Sequence, residues 1–538
     1  MILYKIINSY RVSCLSLILM TLMISCTDSF EEANTNQHEA TEEMMSNDNL
    51  KTGAFFSQMQ RNVVLFDDGN NLSSDYQVAQ GLTSDLYSGY IAPTGSWYSG
   101  VHNGSYYFIT GWIEKTFTSG FSSVMPAWQS IVEIADEQGL PEVSALATVI
   151  KVEAMHRVAD AYGSVPYINF GSGSLQNDYD ALENVYTMFF EELDSSIDEL
   201  TDYVLGNPSA TILANYDYIY GGDATKWVKF ANTLRLRLAI RIAYANPALA
   251  QEEAEKSINN PIGLISSPGE AASLKHSSNL TYYHPLYDIS YNFNDGEARM
   301  SASMDSYMNG YEDPRLGAYF TPTEDGGYHG VRLGIETSVW SRYVSDNISN
   351  LNVNQSNTEI VWMTGAESYF LRAEGALRGW NMNGTAQEFY EEGISVSFLE
   401  NNVDGADSYI NDSESTPIAF NDNAEGSSLN ASAPSDITIA WDEADSFERN
   451  LERIITQKWI AIFPDGPEGW AEFRRTGYPR LLPVVTNNSN GTINSDQQVR
   501  RIPFPQSEYI NNQAGVTVGV SLLSGSDNGG TKLWWDQK

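Results

Sequence analysis

Gln457 to Pro483 reads QKWIAIFPDGPEGWAEFRRTGYPRLLP. It places an apolar helix end, a proline stop and an acid–arginine pattern in succession. Upstream, Ser446 or Asp445 caps a helix whose Phe447, Leu451, Ile454, Trp459 and Ile462 recur on one face. Pro464 stops it, because proline has no N–H to give and its ring crowds the preceding turn. Beyond the stop, Glu468 and Glu472 lie at helical spacing, followed by Arg474 and Arg475. Two carboxylates so placed invite a glycoside hydrolase reading, but pairing with Arg474 or Arg475 is the simpler account. Arg500-Arg501 repeats the double arginine. In so acidic a chain both runs are expected to satisfy buried acids and helix carboxyl ends rather than an anionic ligand. The sequence contains no HExxH, no GxSxG, no phosphate loop and no Cys or His cluster. No enzymatic activity, cofactor or metal is therefore expected.

Working outward, helical stripes dominate. Glu359 to Trp380 carries Met363, Ala366, Phe370, Ala373 and Leu377 on one face, with Gly365, Gly375 and Ala376 allowing close helix contact. Thr385 to Asn401 follows after an Asn-Gly turn. Earlier, Pro141 opens a helix that Gly163 ends, with Val143, Leu146, Ile150, Ala154, Val158 and Ala161 inward. His156 in that helix has no second ligand at metal spacing and reads as structural. Asn184 to Tyr203 presents Tyr186, Phe190, Leu193, Ile197 and Leu200. Asp223 caps a helix with Trp227, Phe230, Leu234, Leu238 and Ile242 inward and Arg235, Arg237 and Arg241 off that face. Consecutive helices with short turns suggest tetratricopeptide-like pairs, although no clean repeat at a period of ~34 residues is present. Asn402 to Ala440 is polar and reads as a surface excursion.

Two stretches break the helical pattern. Gly81 to Trp112 is rich in Gly, Ser, Tyr and Trp, and its centre, Ala92 to Gly100, has loop chemistry. Trp97, Tyr98 and His102 on such a loop suit the apolar CH faces of sugar rings, and Asn103 could hydrogen-bond hydroxyls. The alternative is that some of these rings simply pin the loop to the core. Residues 262–357 hold further aromatic and amide runs, including Tyr291, Phe293, Asn294, Trp340, Arg342 and Tyr343, without a helical period. Loops or short strands are expected there. These ten residues are the candidate ligand contacts.

The N-terminus gives the setting. Leu15 to Glu32 reads LSLILMTLMISCTDSFEE, an apolar core preceded by Lys5 and Arg11 and ending at a cysteine. It is too short for a spanning helix, which needs ~20 apolar residues, and has the form of a signal peptide. Leu22-Met23-Ile24-Ser25-Cys26 resembles a bacterial lipobox, which implies cleavage before Cys26 and lipidation of that residue. Thr27 to Asn49 then reads as a tether. The expected organisation is a signal peptide at 1–25, a lipid-anchored tether at 26–49 and a single domain at 50–538. The only cysteines are Cys14 and Cys26, so no internal disulfide remains and the core must stabilise the mature chain. Removal of 1–25 takes Lys5 and Arg11 with it, so the net charge moves from −39 to −41. Such a field opposes nucleic acid, whose binding needs Lys and Arg on phosphates, and weakly disfavours polyanionic ligands.

The 457–483 stretch, followed by RRIPFPQSEYINN at Arg500 to Asn512, resembles the C-terminal signature of SusD-like outer-membrane nutrient-binding lipoproteins of the second SusD/RagB subfamily. The resemblance extends through KVEAMHRVADAYGSVPY, WVKFANTLRLRLAIRIA, DPRL at Asp313 to Leu316, AESYFLRAEGALRGW and KLWWD, in order along nearly the whole mature chain. It implies a mainly α fold of tetratricopeptide-like helix pairs packed with an irregular, loop-rich ligand-binding face. It also implies a SusC-like TonB-dependent transporter as partner, over which the lipoprotein sits as a hinged lid at the cell surface of the outer membrane. The ligand so implied is an oligo- or polysaccharide, and the acidic balance favours a neutral one, for instance a β-glucan such as laminarin. A peptide-binding importer component is the alternative, since the family scaffold also serves peptide uptake.

Overall fold

Local signals start the helices where the sequence places them. The computed structural model describes residues 49–538 apart from 96, 175, 278–279, 294–296, 337–341, 344–345, 357 and 425–426. Its principal helices are α1 Leu50–Gln60, α2 Met125–Gln138, α3 Pro141–Tyr162, α4 Leu182–Gly206, α5 Ala224–Arg241, α6 Pro247–Asn259, α7 Ala302–Gly310, α8 Gly365–Leu377, α9 Ala386–Glu400, α10 Phe447–Ala461 and α11 Gly466–Thr476. Proline stands in the first turn of α3 and α6, where its missing N–H leaves no hydrogen bond unmade. Asp223, Thr364, Thr385 and Ser446 cap α5, α8, α9 and α10 by accepting a first-turn amide.

The helices pack in a chain of neighbours. α3 lies against α2 and α4, α4 against α5, and α5 against α6. α8 pairs with α9 and carries α10, and α5 packs on α8 to join the two sets. This is a mainly α fold of tetratricopeptide-like helix pairs, with Thr52–Lys538 forming one compact unit. Two antiparallel ribbons complete it: β1 Ile91–Pro93 pairs with β3 Ala298–Met300, and β2 Ala272–Leu274 with β4 Ile360–Met363.

Four sequence expectations change. The helix read from Glu359 begins only at Gly365, because Ile360 to Met363 form β4, where β-branched and aromatic side chains fit a half-buried ribbon. α7 lies inside the stretch read as loops and is capped by the Ser301 hydroxyl. Phe447, read as a core residue, is 37% exposed at the first position of α10. Arg235, Arg237 and Arg241, expected off the buried face of α5, are all buried. The reason is tertiary: α5 is covered by α4, α6 and α8 together, so it has no free face.

The buried cations are matched by acids. Arg237 makes a two-pronged pair with Glu367 at 2.8 and 2.6 Å, and Lys458 lies 2.7 Å from Glu468. Arg475 binds Glu374 at 2.6 Å and Glu472 at 2.5 Å. Glu468 is held by Arg241 and Lys458, so its partners are not Arg474 or Arg475 as the sequence suggested. Arg474 instead donates to the backbone carbonyls of Asp160 (2.6 Å) and Arg500 (2.9 Å), and Arg501 to that of Tyr162 at 2.8 Å. Asp160 and Tyr162 close α3, so the arginine runs do serve acids and a helix carboxyl end. His156 is a core residue with Nδ1 3.1 Å from the Val152 carbonyl oxygen, and burial holds its pKa well below the ordinary value.

Candidate functional site

The β1–β3 ribbon decides where the ring-rich loop sits. Pro93 pairs with Ala298, and just beyond the ladder the Thr94 N–H donates to the Glu297 carbonyl at 3.1 Å. The chain then turns through Trp97 to Gly100, where Tyr98 (φ 48°, ψ 32°) and Ser99 (φ 55°, ψ 37°) both take left-handed backbone. Side chains with a Cβ avoid that region, at a cost of roughly 1–3 kcal/mol for each such residue. The turn leaves Tyr98 61% exposed and Trp97 half-buried.

The rings form one cluster. Trp97 meets Trp112 edge to face at 5.8 Å, and Tyr98 meets Trp112 edge to face at 5.4 Å. His102 lies behind them, 5.6 Å from Trp97 and 6.2 Å from Trp112. Its Nδ1 accepts the Gly104 N–H at 3.1 Å, and burial pushes its pKa down to about 4, so the ring is neutral at physiological pH. Trp97 is fixed in turn by its indole N–H, which donates to the Glu297 carboxylate at 2.9 Å.

Not all candidates face outward. Asn103 is fully buried; its amide donates to the Leu82 carbonyl at 3.0 Å and its oxygen accepts the Ile109 N–H at 2.9 Å. Both ends hold the loop together, so Asn103 is not available to hydroxyls. Tyr343 is likewise buried, in a small cluster with Ala92, Val331 and Ile348, and donates to Asp422 at 2.8 Å. Its ring packs with Ala92 of β1. His102 supports the rings and is itself buried.

The second group lies on the neighbouring turn. Tyr291 is 37% exposed, stacks on Tyr287 at 4.9 Å, and donates its hydroxyl to the Leu351 carbonyl at 2.6 Å. Phe293 is half-buried against the core and Arg342 is exposed. This turn joins the first cluster through Glu297, whose backbone N–H donates to the Ile289 carbonyl at 2.8 Å. Asn294, Trp340 and the lipidation candidate Cys26 lie outside the described residues. Sequence reading missed Trp112, Tyr287 and Glu297. Trp112 closes the ring-rich stretch and carries that signal; Glu297 carries none, being one acid among 69.

A small cavity of about 60 Å³ lies elsewhere, beneath α3 and α11, lined by Tyr76, Gln80, His156, Arg157, Trp470 and Arg474. Its charged walls belong to the scaffold ion pairs, whereas the ring cluster presents half-exposed apolar faces. Among the described residues no helix is long and apolar enough to cross a membrane.

The SusD-like profile, described as Susd and RagB outer membrane lipoprotein, matches residues 32–536. The chain belongs to the SusD-like family. A chitin-binding SusD homolog from Flavobacterium johnsoniae is 42% identical and superposes with a TM-score of 0.84, over 90% of this chain and 98% of that one. A SusD homolog from Bacteroides uniformis is 37% identical (TM-score 0.84; 91% and 99% covered), and one from Bacteroides vulgatus is 34% identical (TM-score 0.83; 90% and 97%). No curated protein matches the sequence. SusD-like outer-membrane lipoproteins with this fold therefore include one that binds a glycan.

Proposed function

We propose that this SusD-like chain captures a neutral oligosaccharide on the Trp97–Tyr98–Trp112 cluster and delivers it to a SusC-like TonB-dependent transporter. The observation that carries the reading is three clustered rings, one of them largely exposed, on a loop whose backbone is tied to a ribbon. Rings so held offer apolar faces to sugar CH groups with little ordering left to do. A few such contacts at about 0.5–1.5 kcal/mol each, with hydroxyl hydrogen bonds at ~1 kcal/mol, correspond to dissociation constants between roughly micromolar and millimolar. Capture without bond cleavage fits the burial of Glu468 and Glu472, the acids a hydrolase would use, in ion pairs. The proposed organisation is a signal peptide at 1–25, a tether at 26–49 anchored to the outer membrane through Cys26, and a glycan-binding domain at 50–538.

The chitin-binding relative puts N-acetylglucosamine oligosaccharides first among neutral ligands, with laminarin as the second arm. The net charge of −39 stands against uronates. The test is affinity electrophoresis of the soluble Cys26-truncated protein through gels containing glycol chitin, laminarin, mannan or alginate, with titration calorimetry on the matching oligosaccharide. Retardation by a neutral glycan that Trp97→Ala abolishes is the expected result. A folded protein retarded by none of them, yet binding peptides, would overturn the glycan reading in favour of peptide import.

A further inference from the structure

We infer that Glu297 is the positioning residue of the ring cluster, its carboxylate fixing the plane of Trp97 by accepting the indole N–H. The inference deepens the proposed function and rests on Trp97 meeting the glycan.

Glu297 is 3% exposed, yet it is placed beside a loop of half-exposed rings. One carboxylate oxygen accepts Trp97 Nε1 at 2.9 Å and the other accepts Gln77 Nε2 at 3.0 Å. Its backbone is tied on two sides: the carbonyl accepts the Thr94 N–H at 3.1 Å, and the N–H donates to Ile289 at 2.8 Å. The residue thus joins the end of β1 to the turn that carries the stacked Tyr287–Tyr291 pair. Placing its carboxylate places the indole relative to both ring groups.

The chemistry suits this role. An indole has a single donor and no acceptor, so one strong partner fixes its rotation. Trp112 meets the Trp97 ring at 88°, which leaves rotation of Trp97 about its side-chain bonds as the motion to be stopped. A ring stopped before the ligand arrives loses less freedom on binding, so removal of the acceptor is expected to weaken binding without unfolding the loop.

The experiment has two arms. In the first, the indole N–H resonance of Trp97 is assigned among the 12 tryptophans by its loss in Trp97→Phe. Glu297→Ala should move it upfield, and Glu297→Gln, which keeps an oxygen acceptor, should move it back part of the way. In the second, chitohexaose and laminarihexaose are titrated into the wild type, Glu297→Ala, Trp97→Ala and the double variant. Glu297→Ala should weaken binding about tenfold in the wild-type background and less than twofold where Trp97 is already alanine. An unmoved resonance overturns the inference whether or not a glycan binds. Additive losses in the double variant overturn it too, because Glu297 would then act on the fold. A shifted resonance with neither probe bound upholds the positioning of Trp97 while counting against chitin and laminarin as its ligands, so the two failures are distinct.

Discussion

Asp85→Asn should stabilise the protein, and by an amount that depends on pH. Asp85 is 2% exposed; one oxygen accepts the Tyr76 hydroxyl at 2.8 Å and the other is buried without a hydrogen-bond partner. Burial raises its pKa from 3.8 to about 7, opposed by the Tyr76 hydrogen bond and the nearby Gln80 amide, with Asp465 adding to the rise and Arg157 reducing it. The sign follows from proton linkage. Below about pH 4 the carboxyl is protonated whether the chain is folded or not, and costs nothing. Between about 4 and 7 the unfolded chain loses its proton first, so stability falls as pH rises, and above about 7 the penalty is constant. At about 1.4 kcal/mol for each unit of difference, the penalty reaches roughly 4 kcal/mol. Asparagine cannot ionise and its oxygen can still accept from Tyr76. Urea unfolding of both proteins from pH 4.5 to 8.5 should therefore show a gap that opens by a few kcal/mol and then levels off. Glu153 and Glu400, also raised to about 7 by burial, titrate in both proteins and cancel in the difference. A gap that is independent of pH, or that closes as pH rises, would refute the reasoning.

Glu367→Gln should destabilise the fold by about 3–5 kcal/mol, since it leaves the buried Arg237 without its two-pronged partner; an unchanged urea midpoint would show that neighbouring acids replace it. Asn103→Ala should cost about 1–3 kcal/mol in thermal or urea unfolding, because the Leu82 carbonyl and the Ile109 N–H both lose a buried partner. Glycan affinity measured between pH 5 and 8 should be flat with respect to His102, whose pKa lies at about 4; a titration near 6.5 that disappears in His102→Gln would contradict its burial.

Local patterning alone specifies the class of the fold and most of its helices. Heptad-like stripes, first-turn prolines and polar caps are local, so α3, α4, α5 and α9 lie close to where periodicity placed them. The order of short motifs along the chain carried the family, and the ring-rich loop around Trp97 was legible because proline and glycine forbid a helix there. Tertiary structure alone decided which side of each residue faces out. Period 3.6 gives one buried face per helix, but α5 is covered on several sides at once, so its arginines went inward to meet Glu367 and Glu468 from distant segments. Ile360 to Met363 became a strand because a partner 86 to 91 residues earlier was there to pair with it. Composition marked Asn103 as an amide and Tyr343 as a ring on loops; only packing showed that their polar groups are already taken. Glu297 lies 200 residues from Trp97 and meets it because a three-residue ribbon brings the two loops together, an encounter that no local pattern encodes.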